Sequence, residues 1–121
     1  MHVHLVFVTK YRRGVFDGNA IERLHQIFAK VCRDFEAELI EMDGEDNHVH
    51  LLVEYPQKFA VSALVNSLKG VSSRLLRLER PDIERRYWKG VLWSPSYFAA
   101  SCGGAPISII RQYIEQQKTL D

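Results

Sequence analysis

Hydrophobic periodicity along this chain switches between two and about 3.6 residues in one fixed order, and that order leaves few folds open. Residues 2 to 9 (HVHLVFVT) alternate and are rich in β-branched side chains, which predicts a strand. A basic connection with glycine at two points follows (Lys10 to Gly18, KYRRGVFDG). Ile21, Leu24, Ile27, Phe28, Val31 and Phe35 then fall at helical spacing to about Glu36, with Asp17 or Asn19 as the cap. Leu39 to Met42 is a short second strand, and the acidic turn DGEDN leads into a third, His48 to Tyr55, so the two read as a hairpin. Pro56 stops that strand, and Ser62 to Leu78 form a second helix on an apolar stripe of Leu64, Leu68, Val71, Leu75 and Leu78. Ser96 to Ser101 (SYFAAS) is a fourth strand, a glycine pair breaks it, and Pro106 begins a last helix reaching about Leu120. Strand, helix, strand, strand, helix, strand is the split βαβ plan of the ferredoxin-like sandwich. The predicted class is therefore α+β, an antiparallel sheet with helices on one face, plus a C-terminal helix.

At 121 residues and 46% hydrophobic, the chain is expected to be one domain, 1–121, with enough apolar material for a core without disulfide staples. Cys32 and Cys102 have no metal-type spacing and lie in apolar contexts, so both are read as reduced and structural. No apolar run is long enough to span a bilayer, and the apolar first eight residues merge into a strand pattern rather than a signal peptide. The expectation is a soluble, cytoplasmic protein without a membrane partner.

The net charge of +1 conceals a strong polarity. From Asp17 through Glu54 there are 3 Lys/Arg against 10 Asp/Glu, whereas from Lys69 through Lys89 there are 7 against 3. Lys10, Arg12 and Arg13 add a basic cluster with no acid adjacent. A chain charged in this way can attract a polyanion to one side while remaining near neutral overall.

Within this frame two pairs of side chains carry chemistry. His48 and His50 are two apart in the third strand, so both imidazoles leave one face and could hold one metal ion. Tyr113 and Gln117 are four apart in the last helix, which presents a phenol and an amide oxygen together. Placed face to face, the four form a metal-assisted site with a tyrosine nucleophile, suited to breaking and remaking a phosphodiester. The stretch from 81 to 95 (PDIERRYWKGVLWSP) is read as a loop mixing basic and aromatic residues. Such mixing fits stacking on exposed bases, and it fits equally a connection in which Trp88 and Trp93 are core.

Taken together, HLVFVTKYRR, HVHLLVE, LKGVSSRLLR, LWSPSYF and YIEQQ, in that order, resemble the single-tyrosine HUH transposases, the TnpA type of the insertion sequence 200/605 family. The resemblance spans nearly the whole chain. It implies His48 and His50 as the HUH metal ligands, Tyr113 as the nucleophile and Gln117 as the third protein ligand. It also implies Mg2+ or Mn2+ as cofactor, a homodimer whose sites combine His48 and His50 of one subunit with Tyr113 and Gln117 of the other, and single-stranded DNA with hairpin ends as substrate. Lys10, Arg12, Arg13, Lys69, Arg74 and Arg77 are the candidates for contacts to the DNA backbone. Relatives often carry a Met-Pro-Asn-like tripeptide before the HUH pair where this chain has Glu45, Asp46 and Asn47, so the contacts supporting the imidazoles are a place to expect difference. Gly103 and Gly104 suit either a hinge or a plain turn before the tyrosine helix.

The acids at 41 to 46 are read as a solvated turn. His2-Val3-His4 echoes the HUH pair, and His4 is assigned a structural or hairpin-facing role rather than a metal-binding one. Two other functions stay open at this stage. One is a non-catalytic or domesticated ferredoxin-like nucleic-acid-binding protein acting on palindromic repeats; the other is a small metallohydrolase that would not need Tyr113.

Overall fold

The computed structural model describes residues 1–87 and 89–101; Trp88 and the expected last helix, with Tyr113 and Gln117, lie outside the described residues. Four strands and three α-helices follow one another as β1 (His2–Val8), α1 (Gly18–Asp34), β2 (Glu38–Gly44), β3 (His48–Glu54), α2 (Val61–Glu79), α3 (Pro81–Arg86) and β4 (Phe98–Ser101). A 3-10 turn, Lys10–Arg12, lies between β1 and α1. The sheet order is β2-β3-β1-β4 and every neighbouring pair is antiparallel. This is the order that the split βαβ plan requires, with β1 and β3 as the central pair.

Alternation decides which side chains meet the helices. Val3, Leu5 and Phe7 of β1 and Val49, Leu51 and Val53 of β3 form one core with Leu24, Ile27, Phe28 and Val31 of α1 and Leu64, Val65, Leu68 and Leu76 of α2. Asp17 caps α1 by accepting from the Ala20 N–H at 2.8 Å, as the sequence predicted for one of two residues. Cys32 is buried in this core, and burial pushes its thiol up to about 11, which suits an inert structural residue.

The opposite face of the central strands is buried as well. His4 and Val6 of β1 and His48, His50 and Leu52 of β3 are all nearly inaccessible, although they point away from α1 and α2. Val6 anchors a second, smaller apolar cluster there with Val8 and Phe98. A strand covered on both sides carries a near-continuous apolar run, and HVHLLV has that character with two imidazoles set into it.

Two expectations need correction. Leu78 is 75% exposed and does not belong to the buried stripe of α2; Ser72 and Ser73 are buried instead. The reason is Trp93, whose Nε1–H donates to Ser72 Oγ at 2.9 Å, while the Leu92 N–H donates to Ser73 Oγ at 3.3 Å. The helix turns its serines inward to satisfy donors that the core would otherwise strand. The second correction concerns residues 81–95, expected as a loop. They contain α3, with Pro81 opening it, Asp82 and Glu84 in its first turn and Arg85 and Arg86 in its last. Trp93 is core, packed against Phe7, Phe16 and Phe28 at centroid distances of 5.7, 5.4 and 6.4 Å.

Candidate active site

His48 and His50 occupy successive outward positions of β3 on the face away from the helices. Their rings are 5.3 Å apart between centroids and inclined by 31°. They are 3% and 2% exposed, so each imidazole is desolvated on most of its surface. Across the central pair, Val8 faces His48 and Val6 faces His50; on the other side Asp43 of β2 is opposite His50.

The turn before β3 sets the orientation of the first imidazole. Asn47 Oδ1 lies 2.8 Å from His48 Nδ1. An amide oxygen only accepts, so this contact places a ring proton on Nδ1, and in the neutral ring Nε2 is then the nitrogen that carries the lone pair. Glu45 Oε2 lies 3.9 Å from that Nε2. The turn is itself clamped by the β1–α1 connection. The Asp46 carbonyl accepts from the Val15 and Phe16 N–H groups, each at 2.9 Å, and the Asn47 carbonyl accepts from the Thr9 N–H at 2.9 Å.

The two imidazoles are two nitrogen-bearing side chains on one face of β3. Among the described residues no group of three or more His, Cys, Asp or Glu side chains could hold a metal ion, so His4, on the same face, does not join them. The N-terminal pair is divided: His4 is buried, while His2 is half-buried with Nε2 3.9 Å from Glu54 Oε2. Of the acids at 41 to 46, Glu41, Glu45 and Asp46 are exposed. Asp43 is half-buried on the histidine face, a placement that only the strand register reveals.

The basic candidates fall into two groups. Lys10, Arg12 and Arg13 follow β1 at the end of the sheet where His48 lies. Lys69, Arg74 and Arg77 are on α2. Arg74 is exposed, and with Arg77, Leu78, Pro81 and Glu84 it lines a surface cavity of about 600 Å³. Lys69 is held inward: its ammonium donates to the Ser94 carbonyl at 2.6 Å and sits over the rings of Phe7 and Tyr97, and burial lowers its pKa.

Comparison with known proteins decides what this arrangement belongs to. The family described as "Transposase IS200 like" matches residues 1–117. The chain belongs to the IS200/IS605 single-tyrosine transposases. It is 32% identical over 117 residues to the ISDra2 transposase TnpA of Deinococcus radiodurans, covering 97% of this chain and 84% of the relative. It is likewise 32% identical over 114 residues to the transposase for insertion sequence element IS200 of Salmonella typhimurium, covering 94% and 74%. Among solved structures, a D. radiodurans R1 chain assigned as a transposase superposes with a TM-score of 0.82 at 30% identity, over 97% of this chain and 90% of that one. A REP-associated tyrosine transposase bound to a REP hairpin shares the fold, with a TM-score of 0.64 at 15% identity over 93% and 61% of the two chains. The membership makes this single-tyrosine transposase an enzyme, a strand transferase that cleaves and rejoins single-stranded DNA through a phosphotyrosine intermediate. Among the described residues no helix is long and apolar enough to cross a membrane.

Proposed function

We propose that residues 1–121 form a single transposase domain in which Tyr113 is the nucleophile and His48, His50 and Gln117 hold one Mg2+ or Mn2+ ion. The substrate is single-stranded DNA whose ends fold into hairpins. The observation that carries this reading is the pair of imidazoles side by side on one buried sheet face, with the tautomer of His48 set by Asn47. Two neutral imidazoles and an amide oxygen are a donor set that binds a divalent ion and leaves positions open for the scissile phosphate. When bound, such an ion polarises the phosphoryl group and stabilises the oxygen that leaves.

The residues divide the work. Tyr113 gives up its phenolic proton and its oxygen forms a bond to phosphorus; the bond from phosphorus to the 3'-oxygen breaks, and that oxygen leaves as a 3'-hydroxyl. The 5'-phosphate stays on Tyr113 as an ester, so a second 3'-hydroxyl reverses the step and restores the phenol without ATP. Buried strand positions hold His48 and His50 rigidly. In a homodimer, the histidines of one subunit would face Tyr113 and Gln117 of the other. Lys10, Arg12, Arg13, Arg74 and Arg77 are proposed to contact the DNA backbone, whereas Lys69 is turned onto the Ser94 carbonyl; each phosphate contact adds about 0.7 to the salt slope on single strands.

The test uses 5'- and 3'-labelled single strands from the flanks of the gene, with Mg2+ or Mn2+, for wild type and Tyr113→Phe. The expected result is a protease-sensitive adduct on the 5' side of the cut that is lost with chelator and in the variant. Cleavage that survives Tyr113→Phe would assign the reaction to an activated water instead. Hairpin binding with no adduct under either metal would make the chain a binding protein.

A further inference from the structure

Tyr11 adopts a backbone conformation that brings the fold no burial in return. Its φ is +62° and ψ 15°, and Arg12 follows at φ +52°. Two consecutive side-chain-bearing residues thus sit in the left-handed region that favours glycine. Strain of this kind persists only where the surroundings over-determine it, and it concentrates at functional positions. The surroundings here are explicit. The Lys10 N–H donates to the Leu92 carbonyl at 2.8 Å and the Arg12 N–H to the Thr9 carbonyl at 2.9 Å. Thr9 Oγ1 donates to the Arg13 carbonyl, and the Tyr87 hydroxyl to the Lys10 carbonyl, both at 2.8 Å. All this ordering holds out an aromatic ring that is 71% exposed.

The ring's neighbours are those a nucleotide would need. The Arg13 guanidinium is 5.2 Å and the Lys10 ammonium 5.3 Å from its centroid. A surface cavity of about 470 Å³ opens beside it, lined by Val8, Thr9, Tyr11, Arg12, Ser94 and Ser96. Neither Lys10 nor Arg13 lines this cavity. Val8, Thr9, Arg12, Ser94 and Ser96 line the rest, with the Ser94 and Ser96 hydroxyls hydrogen-bonded to each other at 3.2 Å. The cavity adjoins the histidine end of the sheet, because Val8 is opposite His48 and Thr9 is bonded to Asn47.

We propose that Tyr11 is a stacking platform for one unpaired base of single-stranded DNA, and that the cavity beside it receives that nucleotide. The π-face takes the base, the hydroxyls of Ser94 and Ser96 meet its polar edge or sugar, and Arg12 takes the phosphate. Stacking of this kind accepts any base, because every base has a π-face. The inference rests on the reading of the chain as a single-strand-binding enzyme and adds the residue that grips the unpaired strand next to the metal-side histidines.

The experiment is fluorescence anisotropy with labelled oligothymidylate, beside a duplex of the same length, for wild type, Tyr11→Phe, Tyr11→Ala and Tyr11→Gly. Tyr11→Ala and Tyr11→Gly should weaken single-strand binding by roughly 5- to 100-fold, the range expected for losing one base–aromatic stack, while duplex binding stays unchanged. Tyr11→Phe should bind as wild type. Tyr11→Gly should also raise Tm, since glycine relieves the positive φ, so affinity and stability move in opposite directions. Tyr11→Ala binding oligothymidylate as tightly as wild type would overturn the proposal and leave the transposase reading standing, and so would an equal loss on duplex. Failure of the wild-type chain to bind any single strand would overturn both.

Discussion

The side-chain oxygen of Asn47 lies 2.8 Å from Nδ1 of His48, and this contact places a ring proton on Nδ1. Asn47→Ala removes the acceptor and lets the imidazole choose its tautomer and rotate. Loss of such a supporting contact typically costs 10- to 100-fold in metal affinity. Titration of Mn2+ by calorimetry should therefore show Asn47→Ala weakened by about tenfold or more, with Tm of the metal-free protein little changed. Asn47→Asp keeps an acceptor oxygen and should retain most of the affinity. Equal Mn2+ affinity in wild type and Asn47→Ala would show that the contact does not position His48.

A pH-dependent contribution comes from the start of α1. Asp17 bonds the Arg80 guanidinium through both oxygens, at 3.0 and 2.9 Å, and also accepts from the Ala20 N–H. The Arg80 hydrogen bonds first, and the Ala20 N–H second, hold its carboxyl at about 2 against the ordinary 3.8. A depressed folded-state pKa stabilises the fold above the unfolded value, and that contribution disappears as pH falls through the folded one. The window is therefore pH 4 to 2. Asp17 is more than half exposed, so solvent screens the ion pair and keeps its contribution to stability small. Asp17→Ala should cost about 1 kcal/mol at neutral pH. In thermal unfolding across that window, wild type should converge on the variant; curves that stay parallel down to pH 2 would contradict the assignment.

The sequence and the structure agree where a single physical rule decides the residue. Leu24, Ile27, Phe28 and Val31 are buried because one stripe of a 3.6-residue period can face only one way. The shared face of His48 and His50 was legible for the equivalent reason in a strand. Leu78 misled because the stripe of α2 is set by a partner distant in sequence: Trp93 requires Ser72, and pairs of this kind leave no local signal. The six residues of α3 are too few to show a period, although Pro81, Asp82 and Glu84 carry the composition of a helix start. The tripeptide Glu45, Asp46 and Asn47 was legible as a turn differing from that of relatives, and the contact of Asn47 to Nδ1 was not. That contact depends on the Thr9, Val15 and Phe16 N–H groups holding the turn in place.

Gly44 tests how closely the histidine hairpin is packed. A Cβ there would meet Ile21 Cδ1 at 2.8 Å, Val49 Cγ1 at 3.1 Å and the His48 carbonyl oxygen at 3.2 Å. The isoleucine end can move, but the His48 carbonyl is fixed by accepting from the Glu45 N–H at 2.9 Å. Gly44→Ala should thus destabilise by about 1–3 kcal/mol, the usual cost of overpacking, and weaken Mn2+ binding by displacing His48. Chemical denaturation and Mn2+ titration measure the two effects. A variant that lost stability but held the ion as wild type does would show that β3 does not move with β2.

Trp93 separates a core role from a DNA role for the aromatic residues between α2 and β4. It is 2% exposed, packed edge-on or tilted against three phenylalanines, and its Nε1–H is satisfied by Ser72. A ring so enclosed cannot stack on a base, so its removal should act through stability. Trp93→Ala should cost about 3–5 kcal/mol. Ser72→Ala should cost about 1–3 kcal/mol by stranding a buried donor, and almost nothing more in a Trp93→Phe background, where no donor remains. The double-mutant cycle reads that coupling directly. At a temperature where it is folded, Trp93→Phe should bind oligothymidylate as wild type does, whereas Tyr11→Ala should not. Weakened binding in folded Trp93→Phe would move the stacking surface from the β1–α1 connection to the segment before β4.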